Sequence, residues 1–222
     1  MNGRTGWRAG LAAALLCGMG VLCLPANADD DISLNARLLA AARAGDTAAV
    51  SASLQQGAAV NARNRIGDTP LLTAAKRGLT DMARTLVEHG ADVSQANVQG
   101  VTPLMAAAFG GFEEIVAMLL ARHAELAATD RVDKTAMIYA AGEGHAGVVR
   151  QLLGAGVDVN TRYANGLTAL MWAAGYDKVE TVRLLLSRGA RPELRDNRGL
   201  TAREIADQAG AKTVAGLLSA QH

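Results

Sequence analysis

The constraint that dominates this chain is a repeat. Thr69-Pro70-Leu71 returns as Thr102-Pro103-Leu104, Thr135-Ala136-Met137, Thr168-Ala169-Leu170 and Thr201-Ala202-Arg203, each 33 residues after the last. A second marker keeps the same interval: Gly57, Gly90, His123, Gly156 and Gly189. Two markers in register over five copies define one supersecondary unit, which buries its apolar face only against its neighbours. A looser copy begins near Ser33, where Leu38 to Gly45 imitates Leu71 to Gly78. The units are therefore 33–65, 66–98, 99–131, 132–164, 165–197 and a truncated cap, 198–222.

Within a unit the residues read as turn, helix, helix, loop. Thr69 suits an N-cap, its hydroxyl taking an unpaired backbone N–H, and Pro70 follows at N1, where a missing N–H costs nothing. Ala74-Ala75, Ala107-Ala108, Ala140-Ala141 and Ala173-Ala174 are small enough for close helix approach. Gly78 ends the first helix. Ala83, Leu86 and Val87 give the second its apolar stripe, matched by Val116, Leu119 and Leu120 and by Val182, Leu185 and Leu186. Gly90 closes that helix, and an extended loop follows with its turn at Gly100. Composition agrees: half the residues are hydrophobic but only 3% aromatic, a profile of closely stacked small helices.

The motif G-x-T-P-L-x-x-A-A-x-x-G…V-x-x-L-L-x-x-G-A-D-V-N resembles the ankyrin repeat, most closely at 67–93, 100–120 and 166–190. The resemblance spans about residues 33–222. It implies an all-α repeat solenoid: stacked helix pairs joined by β-hairpin-like fingers, with a binding groove on the finger tips and inner helices. The departures carry expectations too. The His that often follows T-P-L is replaced by Leu72, Met105, Ile138, Met171 and Glu204, which implies apolar packing in place of a polar network. His123 and Asp133 stand in glycine slots and are expected in left-handed conformations, with an altered turn between the third and fourth units. The last unit's first helix is more polar, as a terminal cap requires.

Residues 1–28 read separately as a secretory signal peptide. Arg4 and Arg8 form a positive region and 9–24 an uncharged Ala- and Leu-rich run. Pro25 breaks that run, and Ala26-Asn27-Ala28 places small residues at −3 and −1 of a cleavage site. An acidic tail, 29–32, follows. Both cysteines, Cys17 and Cys23, lie in the apolar run, and neither is preceded by a lipoprotein-type box. Cleavage leaves no thiol, so no disulfide contributes to stability. It also leaves 20 basic and 21 acidic residues, a net charge of −1. That balance argues against nucleic acid as a partner, and a single apolar segment argues against membrane residence after cleavage. The expected location is the periplasm of a Gram-negative bacterium, with release outside the cell as the alternative.

No catalytic constellation is present: there is no nucleophilic Cys, no G-x-S-x-G elbow, no phosphate-cradling glycine loop and no His/Cys pair at metal-ligand spacing. No cofactor is expected. His145 sits in the Gly-His slot common in the family and reads as structural. The resemblance implies a monomeric, non-catalytic binder of another protein. Three roles fit: a scaffold for a client, an inhibitor or immunity protein against a toxin or hydrolase, or a self-associating structural module.

Family geometry marks the exposed inner positions as four, three and one before each Thr and seven and eight after it. Among these the candidate binding residues are Arg131, Asn165 and Arg198 on fingers and Lys76, Arg77, Phe109, Glu143 and Tyr176 on helices. Every aromatic residue after position 28 (Phe109, Phe112, Tyr139, Tyr163, Trp172 and Tyr176) falls in the middle units. Tyr163 takes the slot of Asn64, Asn97, Asp130 and Asp196 and joins the candidates, as does Trp172. Tyr139, Trp172 and Phe112 share slots that suggest packing. The expectation is a central aromatic groove of Tyr163, Tyr176 and Phe109, flanked by Lys76 and Arg77 on one side and Arg198 on the other.

Overall fold

The computed structural model describes residues 28–219, so the expected signal segment, apart from Ala28, lies outside the described residues. Among the described residues are twelve α-helices, one 3₁₀ turn and no β-strand. The helices form six pairs: α1 (Ala28–Ala44) with α2 (Thr47–Gln55), α3 (Pro70–Arg77) with α4 (Thr80–Glu88), and α5 (Pro103–Gly110) with α6 (Glu113–Ala121). They continue as α7 (Ala136–Glu143) with α8 (Ala146–Gly154), α9 (Ala169–Gly175) with α10 (Val179–Ser187), and α11 (Ala202–Ala209) with α12 (Lys212–Ser219). Odd-numbered helices pack on one another in one row and even-numbered helices in a second. The chain is the helical repeat solenoid its beat implies. The last unit contains both helices of a pair, and the stretch 29–32 lies within the helical span of α1.

The repeated threonines set the helix starts. Thr69, Thr102, Thr135, Thr168 and Thr201 are all extended, and each hydroxyl accepts the N–H three residues on, at 3.0–3.4 Å. Each such cap contributes about 1 kcal/mol to its helix start. The slot after T-P-L is apolar packing: Leu72, Met105, Ile138 and Met171 are buried. Glu204, its last member, instead closes a reciprocal capping box with Thr201. His123 and Asp133 adopt positive φ, both at 58°, as expected.

The altered turn does not fall at Asp133. That finger keeps the bonding of its neighbours, with Asp130 N–H donating to the Lys134 carbonyl as Asn64 donates to Asp68 and Asn97 to Val101. The irregular finger is the next one. In the regular fingers the Oδ1 of Asn64, Asn97, Asp130 or Asp196 accepts two backbone N–H groups of its own turn, two and four residues on. Tyr163 has no such oxygen. Its turn tightens into a 3₁₀ element at Ala164–Gly166, with Asn165 at φ 58°.

One core position departs from its repeat. Thr181 is fully buried in the slot of Met82, Ile115, Val148 and Val214, all fully or nearly fully buried, and its hydroxyl has no hydrogen-bond partner. An unpaired buried hydroxyl costs about 1–3 kcal/mol, and Val is nearly isosteric with Thr. Thr181→Val is expected to stabilise the protein by about 1 kcal/mol. A denaturation midpoint equal to or below that of wild type would contradict the assignment.

Candidate functional site

The most exposed large apolar side chains are not scattered. Ile66, Val98 and Val132 sit on successive finger tips, and Phe109 and Tyr176 sit on the inner helices, 53% and 57% exposed. Isolated exposed apolar residues need no explanation, but these share one face of the stack.

At its centre is an aromatic strip. Phe109, on α5, meets Tyr139 of α7 edge to face, with ring centroids 5.7 Å apart and planes at 87°. Trp172, on α9, and Tyr176, at its C-cap, stack at 6.0 Å and 8°. The Lys134 ammonium, on the intervening finger, bridges the pairs: it lies 5.4 Å from the Tyr139 centroid and 4.9 Å from that of Trp172. Each such placement is worth about 0.5–1 kcal/mol at an exposed site. Gly142, on the same helix as Tyr139, leaves ordinary van der Waals room for Trp172 and Tyr176, since a Cβ there would meet both rings at 3.8 Å. Three successive units thus contribute to one surface of four rings and one cation.

Two hydrogen bonds fix its position. The Tyr139 hydroxyl donates to the buried Asp130 Oδ2, whose Oδ1 braces the finger that carries Lys134. Burial of the phenol, then the hydrogen bond and charge of Asp130, push the Tyr139 pKa up to about 12. The phenol is thus a neutral donor at ordinary pH. Behind Phe109, the His145 ring lies 2.9 Å from the Phe109 carbonyl, tying the start of α8 to the end of α5. His145 is structural, and so is Phe112, whose ring packs against Gly78 and Gly110.

The sequence candidates divide accordingly. Phe109, Trp172 and Tyr176 are brought together. Tyr139, which its slot suggested was packing, belongs with them. Tyr163 does not. Its ring is half-buried and packs against the core, lining a separate cavity of about 620 Å³ with Leu126, Ala127 and Val157. Lys76 is committed to Asp68, at 2.7 Å, and Arg77 donates to the carbonyls of Ala42 and Arg43 at the end of α1. Arg198 pairs with Asp196 at 2.7 Å. Arg131, Asn165 and Glu143 are exposed, and the Asn165 carbonyl accepts the Asn197 N–H of the next finger. Among the described residues no His/Cys/Asp/Glu group could hold a metal ion, and no helix is long and apolar enough to cross a membrane.

The family model for ankyrin repeats (3 copies) matches residues 38–130 and again 126–196, well over half the chain. No curated protein sequence matches the chain. Ankyrin repeats are generally protein–protein interaction modules, and proteins built from them are typically non-catalytic binding scaffolds. With its threonine-capped helix pairs, braced fingers and 33-residue repeat, this chain belongs to the ankyrin-repeat family.

Proposed function

We propose that the chain is an exported, non-catalytic scaffold that captures a segment of a client protein on the strip formed by Phe109, Tyr139, Trp172 and Tyr176. The observation that carries this reading is the exposure of Phe109 and Tyr176 within a cluster whose other members are held in place. A half-exposed ring on a rigid support offers large contact area at little entropy cost, the property that makes aromatic residues binding anchors. The client role is favoured over an inhibitory or self-associating one because the strip runs across three successive units, which suits an extended segment laid along the stack.

Export rests on residues 1–28, with the periplasm as the compartment in which the client is met. N-terminal sequencing of protein recovered from the periplasmic fraction should begin at Asp29, and a start at Met1 would defeat the export reading. Capture is tested with a paired variant. Phe109→Ala with Tyr176→Ala removes two exposed rings, so the thermal midpoint should stay close to wild type. Client affinity should fall about thirtyfold, or 2 kcal/mol. Equal recovery of the same client by both proteins, quantified by mass spectrometry of periplasmic pull-downs, would overturn the assignment of the face.

A further inference from the structure

The inner face changes character toward the N-terminal end of the stack. Arg43 occupies on α1 the repeat position that Lys76 holds on α3 and Phe109 on α5. Together with Arg65 and Ile66 of the first finger and Leu39 of α1, it lines an open cavity of about 970 Å³. Arg43 and Arg65 are exposed, and neither side chain is in an ion pair among the described residues. Lys76 and Arg77 add two more cations beside them.

Among residues 34–98, one inner-face carboxylate stands against these, Asp68. It is buried, and both its oxygens are taken, one by Lys76 at 2.7 Å and one by Asn97 Nδ2 at 2.8 Å. The other carboxylates of residues 34–98 lie elsewhere. Asp46 caps α2, Asp81 and Glu88 are on α4, and Asp92 is in the loop after α4. Over residues 34–98 the inner face is therefore a net cationic patch with apolar walls, although the whole chain carries a charge of only +1. Farther along, the inner helices carry Glu143 and Asp207, so the sign does not persist.

We infer that the segment captured is acidic at one end and aromatic or aliphatic in its middle, and that its acidic end seats on Arg43 and Arg65. This rests on the reading of the aromatic strip as the capture site. The positive patch and the strip lie on one face of successive units, so a single extended chain crossing the stack meets charge first and rings second. A polypeptide is favoured over a nucleic acid because the cluster of cations is at one end, whereas the strip beyond it holds a single ammonium, Lys134, between its rings. The strip beyond them offers rings and aliphatic tips, with acidic groups beside them that would repel a uniformly charged phosphate backbone. Complementary charge of this kind raises association rate and fixes the register of the bound segment.

The test uses the full chain and three fluorescein-labelled peptides of equal length, read by anisotropy. One has a run of Glu followed by Phe, Leu and Tyr; in the others Gln or Lys replaces the Glu. The acidic peptide should bind about tenfold tighter than its Gln counterpart, with the advantage shrinking as salt is raised. Arg43→Glu with Arg65→Glu should erase that advantage while leaving the Gln peptide bound and the thermal midpoint unchanged. Equal binding of the acidic and Gln peptides overturns this inference alone and leaves capture by the rings standing. Failure of all three to bind overturns the capture reading with it. A single-stranded oligothymidylate that binds more tightly than the acidic peptide overturns the choice of partner class.

Discussion

Replacing Gly100 by Ala should cost about 3 kcal/mol of stability, whereas the same change at Gly199 should cost only about 1 kcal/mol. The two glycines hold the same position in their fingers, two residues before the capping threonine, and nearly the same conformation, at φ 80° and 82°. Adopting that left-handed geometry costs an L-residue about 1–2 kcal/mol, and Asp133, at φ 58° in the same slot, shows that the stack tolerates it. Space separates the two sites. A Cβ on Gly100 would lie 2.9 Å from the Asp130 Cα and 3.1 Å from the Thr129 carbonyl oxygen. Both are backbone atoms of the next finger, which cannot rotate away. A Cβ on Gly199 would meet nothing within 4 Å. Urea denaturation of both variants checks the difference. Equal losses would mean that conformational strain alone explains the glycines and that the fingers do not press on one another.

The same distinction explains what could be read from the sequence. Thr69 and its four equivalents were legible as helix caps because a cap is a local interaction, complete within four residues. The left-handed turns at His123 and Asp133 were legible for the same reason: a glycine slot with a substitute keeps its backbone requirement. Tyr139 was not legible as part of the aromatic strip. Its slot also holds Thr73, Ala106 and Ile205, and nothing inside its own unit distinguishes it from packing. It becomes part of a surface only through Phe109 of the preceding unit, Lys134 of its own finger and Trp172 of the next unit. Tyr163 failed in the opposite direction. A ring in place of Asn or Asp suggested an exposed anchor, but that slot points inward. Asn97, Asp130 and Asp196 are all buried there, so the ring is half-buried and its turn rearranges. Lys76 and Arg77 were placed correctly on the inner helix, yet their partners, Asp68 and the end of α1, are set by tertiary packing.

Asp130 is where finger geometry and the aromatic strip meet, and its replacement should show both. Asp130→Ala removes the Oδ1 that accepts the Val132 and Lys134 N–H groups at 2.9 and 3.0 Å, together with the Oδ2 that receives the Tyr139 hydroxyl. Three hydrogen bonds to a buried carboxylate, at about 1 kcal/mol each, give an expected loss of about 3 kcal/mol. Lys134 would be released with its finger, and the Phe109–Tyr139 and Trp172–Tyr176 pairs would lose the ammonium between them, so client capture should weaken as well. Asp130→Asn separates charge from geometry. Asn64 and Asn97 already brace their own fingers through the same Oδ1, at 2.9–3.0 Å. The amide introduced by Asp130→Asn can repeat that brace while its nitrogen faces the Tyr139 oxygen. This variant should therefore cost at most about 1 kcal/mol and retain capture. Equilibrium denaturation paired with client binding for the two variants decides the matter. If Asn destabilises as much as Ala, the charge holds the finger and the hydrogen-bond brace does not. If Ala is as stable as wild type, the brace contributes nothing, and the strip must be held by its ring contacts alone.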